Sequence, residues 1–205
     1  MPLKKIKEYE NREEYKEHQI SKTSQPKLRK RLKGKAEKRE AIFKHNFEFA
    51  AQYGCIKEGQ RALCMGARLG EEVRVLKDMG VDALGIDLVP YGEDVIEMDF
   101  TDLEFQGETF DIVYSNSLDH TDDMDTFLEK AFRVLKHKGF IIFDIMSGEG
   151  NIGATEVYEL DVLEIIKIMV EELDMELFSV NVNLKKLYKG GHKSAQVIFR
   201  KGTKR

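Results

Sequence analysis

Cysteine is scarce: Cys55 and Cys64 are the only two in 205 residues. Nine residues apart and without a second pair, they exclude a disulfide framework and a cysteine-based zinc site. They point instead to a reducing, cytoplasmic setting. No apolar run approaches the roughly 18 residues that a membrane-spanning helix needs, so no span is expected. An apolar leader is missing too, because Met1–Lys7 runs straight into a charged segment. What remains is 41% hydrophobic residues, enough for one sizeable core. The length fits one domain with a tail.

The net charge of −4 hides an asymmetry. Residues 1–40 hold 14 basic against 7 acidic residues, and the remainder carries a net −11. The densest stretch is Lys22–Arg39, with nine basic residues opposed only by Glu37. Such an arm can grip nucleic acid or an anionic surface. The plainer reading is a solvated, partly helical extension. No aromatic residue interleaves with the Lys/Arg cluster to make a stacking platform.

Residues 1–34 read as a basic polar extension, punctuated by Pro26 and Gly34, and residues 35–205 as the folded domain. Ile42, Phe43, Phe47 and Ala50 recur at helical spacing, which predicts an amphipathic helix ending before Gly54. Beyond Gly59, short apolar runs alternate with helical patterns, the signature of βαβ units. Strands are expected at 61–65, 83–86, 95–98, 110–115 and 140–145, and helices at 70–79, 124–136 and 161–173. Two last strands, near 177–184 and 195–200, are joined through Lys189-Gly190-Gly191-His192 as an antiparallel hairpin. The expected fold is α/β: a Rossmann-like, seven-stranded, mostly parallel sheet with a terminal antiparallel hairpin, flanked by helices.

Three motifs carry chemistry. Leu63-Cys64-Met65-Gly66-Ala67-Arg68-Leu69-Gly70 joins the first strand of the domain to its helix, where glycines let the backbone approach a ligand. Gly85-Ile86-Asp87-Leu88 puts an acid at the tip of the next strand, 21 residues after Gly66, the separation that lets a carboxylate grip ribose hydroxyls. Glu97-Met98-Asp99-Phe100 ends the third strand with an acid and a ring.

Together with Phe110-Asp111-Ile112-Val113-Tyr114-Ser115-Asn116 and Phe132-Arg133-Val134-Leu135-Lys136, these motifs resemble a class I S-adenosylmethionine-dependent methyltransferase over residues 59–145. The resemblance implies S-adenosylmethionine as cofactor. Gly66, Ala67, Arg68 and Gly70 would line its methionine and ribose side, and Asp87 would hold the ribose. Leu88, Asp99 and Phe100 would surround the adenine, with Asn116 and Ser117 at the methionine end. Two positions depart from the family pattern: Cys64 stands where an acid is usual, and Arg68 replaces the middle glycine. A binding module without catalysis is therefore one alternative. A nicotinamide dehydrogenase fits less well, since it wants Gly-x-Gly-x-x-Gly and the second glycine is absent.

Ser115-Asn116-Ser117-Leu118-Asp119-His120 follows the fourth strand of the domain, where the crevice of such a sheet opens. His120 is the expected general base and Asp119 the carboxylate that orients it; the alternative is that both merely shape the turn. Asp119, His120 and Asp144 would also suit Mg²⁺ or Mn²⁺, although metal-free base catalysis is simpler. Residues 147–159, rich in glycine and including Glu149 and Glu156, read as a lid or an ordinary connection. The Gly-Ala-Arg-x-Gly loop and the Asn-Ser-Leu-Asp-His turn look like those of small stand-alone methyltransferases beside glycan-building enzymes, which implies a sugar hydroxyl as acceptor. The rival acceptor is RNA or protein, gripped by Lys22–Arg39.

Overall fold

The computed structural model describes residues 3–26, 30, 34–147, 156–182 and 193–202. The described chain begins with strand β1 (Lys4–Lys5), helix α1 (Arg12–Thr23) and helix α2 (Ala36–Gln52). Next come β2 (Arg61–Met65), α3 (Glu71–Asp78), β3 (Asp82–Asp87), β4 (Val95–Glu97) and β5 (Phe110–Ser115). A 3₁₀ turn, Leu118–His120, leads to α4 (Met124–Val134) and β6 (Leu135–Ser147). β7 (Tyr158–Glu159) and α5 (Val162–Lys167), extended by a π-helical turn at Ile168–Glu172, precede the final pair, β8 (Met175–Asn181) and β9 (Lys193–Lys201). Among the described residues, no helix is long and apolar enough to cross a membrane.

Seven strands form one sheet in the order β4-β3-β2-β5-β6-β9-β8. The first five pair in parallel, and β9 runs antiparallel between β6 and β8. This is the sheet expected from the sequence. The Lys189–His192 connection lies outside the described residues. From Ala62 to Met65 every residue of β2 is buried, because helices cover both faces of a parallel sheet. One face packs on α2 and α3 through Phe43, Phe47, Val73, Leu76 and Tyr114, with the Phe47 and Tyr114 rings edge to face at 4.8 Å. The other face packs on α4 and α5 through Leu63, Phe127, Phe143, Ile165 and Phe199.

Beyond shifts of a residue or a few at element ends, two features differ from the sequence reading. The helix expected to reach residue 136 stops at Val134, and β6 starts at once with Leu135 opposite Phe110. Leu135 is buried in the core, and Lys136 reaches Asp111 at 2.9 Å, so side-chain burial and pairing override helical spacing. The second difference is larger. Within the expected polar extension, β1 pairs antiparallel with β7, and Ile6 donates its N–H to Val157 O at 2.8 Å. α1 follows, capped by Asn11, whose side chain accepts from Glu14 N at 3.0 Å. Its Tyr15, Gln19 and Thr23 are buried at i, i+4 and i+8, one helical face.

Candidate active site

From β2 the chain order runs outward to β3 and β4 on one side, and from β5 to β6 on the other. Between β2 and β5 lies the switch point where ligands of open α/β sheets bind, beyond the carboxyl ends of the strands. A cleft opens there. The loop after β2 contributes Gly66 and Arg68, and the end of β3 contributes Asp87, Leu88 and Val89. Phe100 comes from beyond β4, and Ser117 and His120 from the loop after β5.

Gly66 has φ +83°, and a Cβ there would lie 2.8 Å from Ser117 Cβ, so only glycine lets the two loops close on each other. The N–H groups of Gly66 and Ala67 both donate to Ile86 O at 2.9 Å, which ties the loop to β3. Arg68 takes φ +31°, an uncommon conformation for a residue with a Cβ. Three hydrogen bonds hold it: its N–H donates to Asp87 Oδ2 at 3.1 Å, and its carbonyl accepts from Tyr91 N at 2.7 Å and Gly92 N at 3.1 Å.

Asp87 also accepts from Val89 N at 2.8 Å, and Arg68 Nε lies 3.9 Å from its Oδ2. Burial raises its carboxyl above the usual range, and Arg68 with the two amide donors counters this. Two amide bonds use about half of the roughly four lone-pair positions of a carboxylate, which leaves capacity for ligand hydroxyls.

Five expected site residues do not line the cleft. Ala67 is buried beneath the loop, where a Cβ on Gly85 would meet it at 2.8 Å. Gly70, at φ +69°, is the N-cap of α3. Asn116 Oδ1 accepts from Ser117 Oγ at 3.1 Å. Asp99 accepts from Arg12 and from Thr101 N at 3.0 Å, with Lys16 at 3.4 Å, so it anchors α1. Asp119 is buried beside the cleft, its Oδ1 3.8 Å from His120 Nε2. Burial raises the Asp119 carboxyl and Glu156 adds to this, against the opposing charge of His120.

The cation cluster drawn from Asp119, His120 and Asp144 is not assembled. Side chains alternate along β6, so Phe143 and Ile145 join the core on the α4 face while Asp144 turns toward α2. There it accepts from Asn46 Nδ2 at 3.2 Å, Tyr114 OH at 2.9 Å and Gln196 Nε2 at 2.8 Å. Among the described residues, Asp119, His120 and Glu156 instead bring one ligand atom each within 4.8 Å of one another. Glu149 and most of the glycine-rich segment, residues 148–155, lie outside the described residues. Cys64 is fully buried in the core on the α2 and α3 face, and burial pushes its thiol up.

Sequence reasoning missed the part that α1 plays in the cleft. Tyr15, Gln19 and Thr23 of α1 line the cleft. Tyr15 donates to His120 O at 3.0 Å, and Tyr91 donates to Thr23 O at 2.7 Å. A capping signal was available in Asn11-x-x-Glu14. The buried face itself is two-thirds polar and shows no apolar period.

Residues 63–143 match the family described as a methyltransferase domain. Comparison with curated proteins gives no match. Among solved structures, the chain is similar to a SAM-dependent methyltransferase from Aquifex aeolicus, with TM-score 0.61 and 17% identity over 89% of this chain and 96% of that one. A SAM-dependent methyltransferase from Methanosarcina mazei gives TM-score 0.60 and 14% identity over 75% and 98%. A phosphoethanolamine N-methyltransferase of Haemonchus contortus, solved with S-adenosylhomocysteine, gives 0.62 and 17% over 78% of this chain and 53% of that one. At these identities the structures speak to fold. With the match over residues 63–143, they show that this chain has the Rossmann-like fold of the class I methyltransferases.

Proposed function

We propose that the chain transfers a methyl group from S-adenosylmethionine to a hydroxyl of a sugar or glycan. The observation that carries this reading is one cleft shared by Gly66, Asp87, Phe100, Ser117 and His120. Asp87 hydrogen-bonds the ribose hydroxyls, Leu88, Val89 and Phe100 enclose the adenine, and Gly66 with Ser117 flanks the methionine end. Ala67 and Gly70 act by shaping the loop, and Asn116 by positioning Ser117. The Haemonchus neighbour, solved with S-adenosylhomocysteine, supports the cofactor assignment.

Bound there, S-adenosylmethionine supplies an electrophilic methyl on a positively charged sulfur. The acceptor oxygen forms the new C–O bond as the C–S bond breaks, and the bonding pair stays on sulfur. His120 takes the hydroxyl proton. The His120 ring lines the cleft, and Asp119 Oδ1 lies 3.8 Å from its Nε2. Holding donor and acceptor in line supplies much of the rate.

A second reading rests on the grouping of Asp119, His120 and Glu156, which would suit a divalent cation that binds the acceptor oxygen. An RNA or protein acceptor gripped by Lys22–Arg39 is less well supported: Arg39 is buried in an ion pair with Glu71 and is not offered to a phosphate. Residues 27–29 and 31–33 of that stretch lie outside the described residues.

Thermal unfolding with and without S-adenosylhomocysteine tests the proposal. Ligand at 100 times its Kd adds about 2.7 kcal/mol of apparent stability. A clear upward shift, lost in Asp87→Ala, is expected. No shift at millimolar ligand refutes the cofactor assignment. Methyl transfer from labelled S-adenosylmethionine to sugar, RNA and protein acceptors then separates the acceptor classes.

A further inference from the structure

We propose that α1 is a wall of the cofactor site and that Gln19 and Thr23 hydrogen-bond the bound S-adenosylmethionine. This deepens the functional reading above and rests on it. Tyr15, Gln19 and Thr23 occupy one face of α1, are 1%, 6% and 2% exposed, and all line the cleft. Two of the three are polar. An amide and a hydroxyl both donate and accept, which suits a wall facing a ligand that offers hydroxyls, ring nitrogens and charged groups. Thr23 Oγ1 donates to Gln19 O at 2.6 Å, which leaves its lone pairs to accept from a ligand.

The attachments of α1 show that it is set at the site. At its N-terminal end, the Arg12 guanidinium binds Asp99, Thr101 and Asp122 and lies over the Tyr15 ring at 4.9 Å. In the middle, Tyr15 holds the carbonyl of His120. At the C-terminal end, Thr23 O accepts from Tyr91, whose own N–H donates to Arg68 O in the glycine loop. Of these attachments, Tyr15 ends on His120, which lines the cleft, and Asp99 and Thr101 flank Phe100, which also does. Along the helix, Tyr15 stands beside His120, Thr23 beside the loop of Arg68 and Tyr91, and Gln19 between them. A cofactor seated in the cleft lies against this face.

Titration calorimetry with S-adenosylhomocysteine on the full chain, Gln19→Ala and Thr23→Val tests this. The substitutions are small, and circular dichroism melts verify folding. Both variants should bind at least tenfold more weakly. Hydrogen–deuterium exchange on the unaltered chain gives a reading that needs no variant: S-adenosylhomocysteine should slow amide exchange across residues 12–23. If the unaltered chain binds the ligand, while both folded variants bind within twofold of it and exchange in residues 12–23 is unchanged, the wall assignment is overturned and the methyltransferase reading stands. If the unaltered chain does not bind at all, both are overturned.

Discussion

Glu72 lies in the first turn of α3, just behind the glycine loop, and is only 4% exposed. Burial pushes its carboxyl from 4.5 up to about 8; Glu71 and Asp87 raise it further, while its own backbone N–H and Arg39 pull it down. A helix N-terminus ordinarily favours an ionised acid, yet here desolvation wins, and at neutral pH the folded chain keeps Glu72 largely protonated. The unfolded chain ionises near 4.5, so between pH 4.5 and 8 the folded state holds the extra proton. Stability therefore falls as pH rises through that window and levels off above it. Each whole step in pKa is about 1.4 kcal/mol, so the two ends of the window differ by about 3–5 kcal/mol from Glu72 alone.

Glu72→Gln keeps the shape and removes the titration. Urea unfolding followed by circular dichroism at pH 4.5, 6, 7 and 8, on both chains, isolates the effect, because every other acid is common to both. The variant should match the parent near pH 4.5 and gain on it steadily to pH 8. A parent–variant difference that stays constant from pH 5 to 8 would show that Glu72 is ionised in the fold, and the argument from burial would fail.

Gly66→Ala places a Cβ at 2.8 Å from Ser117 Cβ on a backbone at φ +83°. It should lower stability by about 1–3 kcal/mol and weaken S-adenosylhomocysteine binding, measured by melts and calorimetry; an unchanged Kd would mean that the two loops do not shape the site. His120→Ala should lower turnover by about 10²–10⁴-fold while leaving ligand affinity in place. The same rate assay with a chelator distinguishes base from cation: unchanged turnover supports His120 as base, and loss restored by Mn²⁺ supports a cation held by Asp119, His120 and Glu156.

Much of the sheet was legible because its signals are local. Buried parallel strands need continuous apolar runs, and the turn after β2 needs a glycine at positive φ. Gly66, Asp87, Leu88, Phe100, Ser117 and His120 follow strand ends, and strand ends at a switch point face one crevice whatever the side chains. Other features depend on partners far away in the chain. Asp99 reads in sequence as an adenine ligand, but Arg12, 87 residues earlier, binds it. Asp144 reads as a metal ligand, but alternation along β6 turns it toward Asn46, Tyr114 and Gln196. The burial of α1 was least visible, since a helix face set against a polar cleft uses Gln19 and Thr23 where a core would use leucine. The sequence by itself determined the sheet and the loops that end its strands, because backbone geometry and apolar burial act between near neighbours. Only the tertiary structure decided which acids are free for chemistry and which helix closes the cleft, because those outcomes depend on contacts between segments distant in the chain.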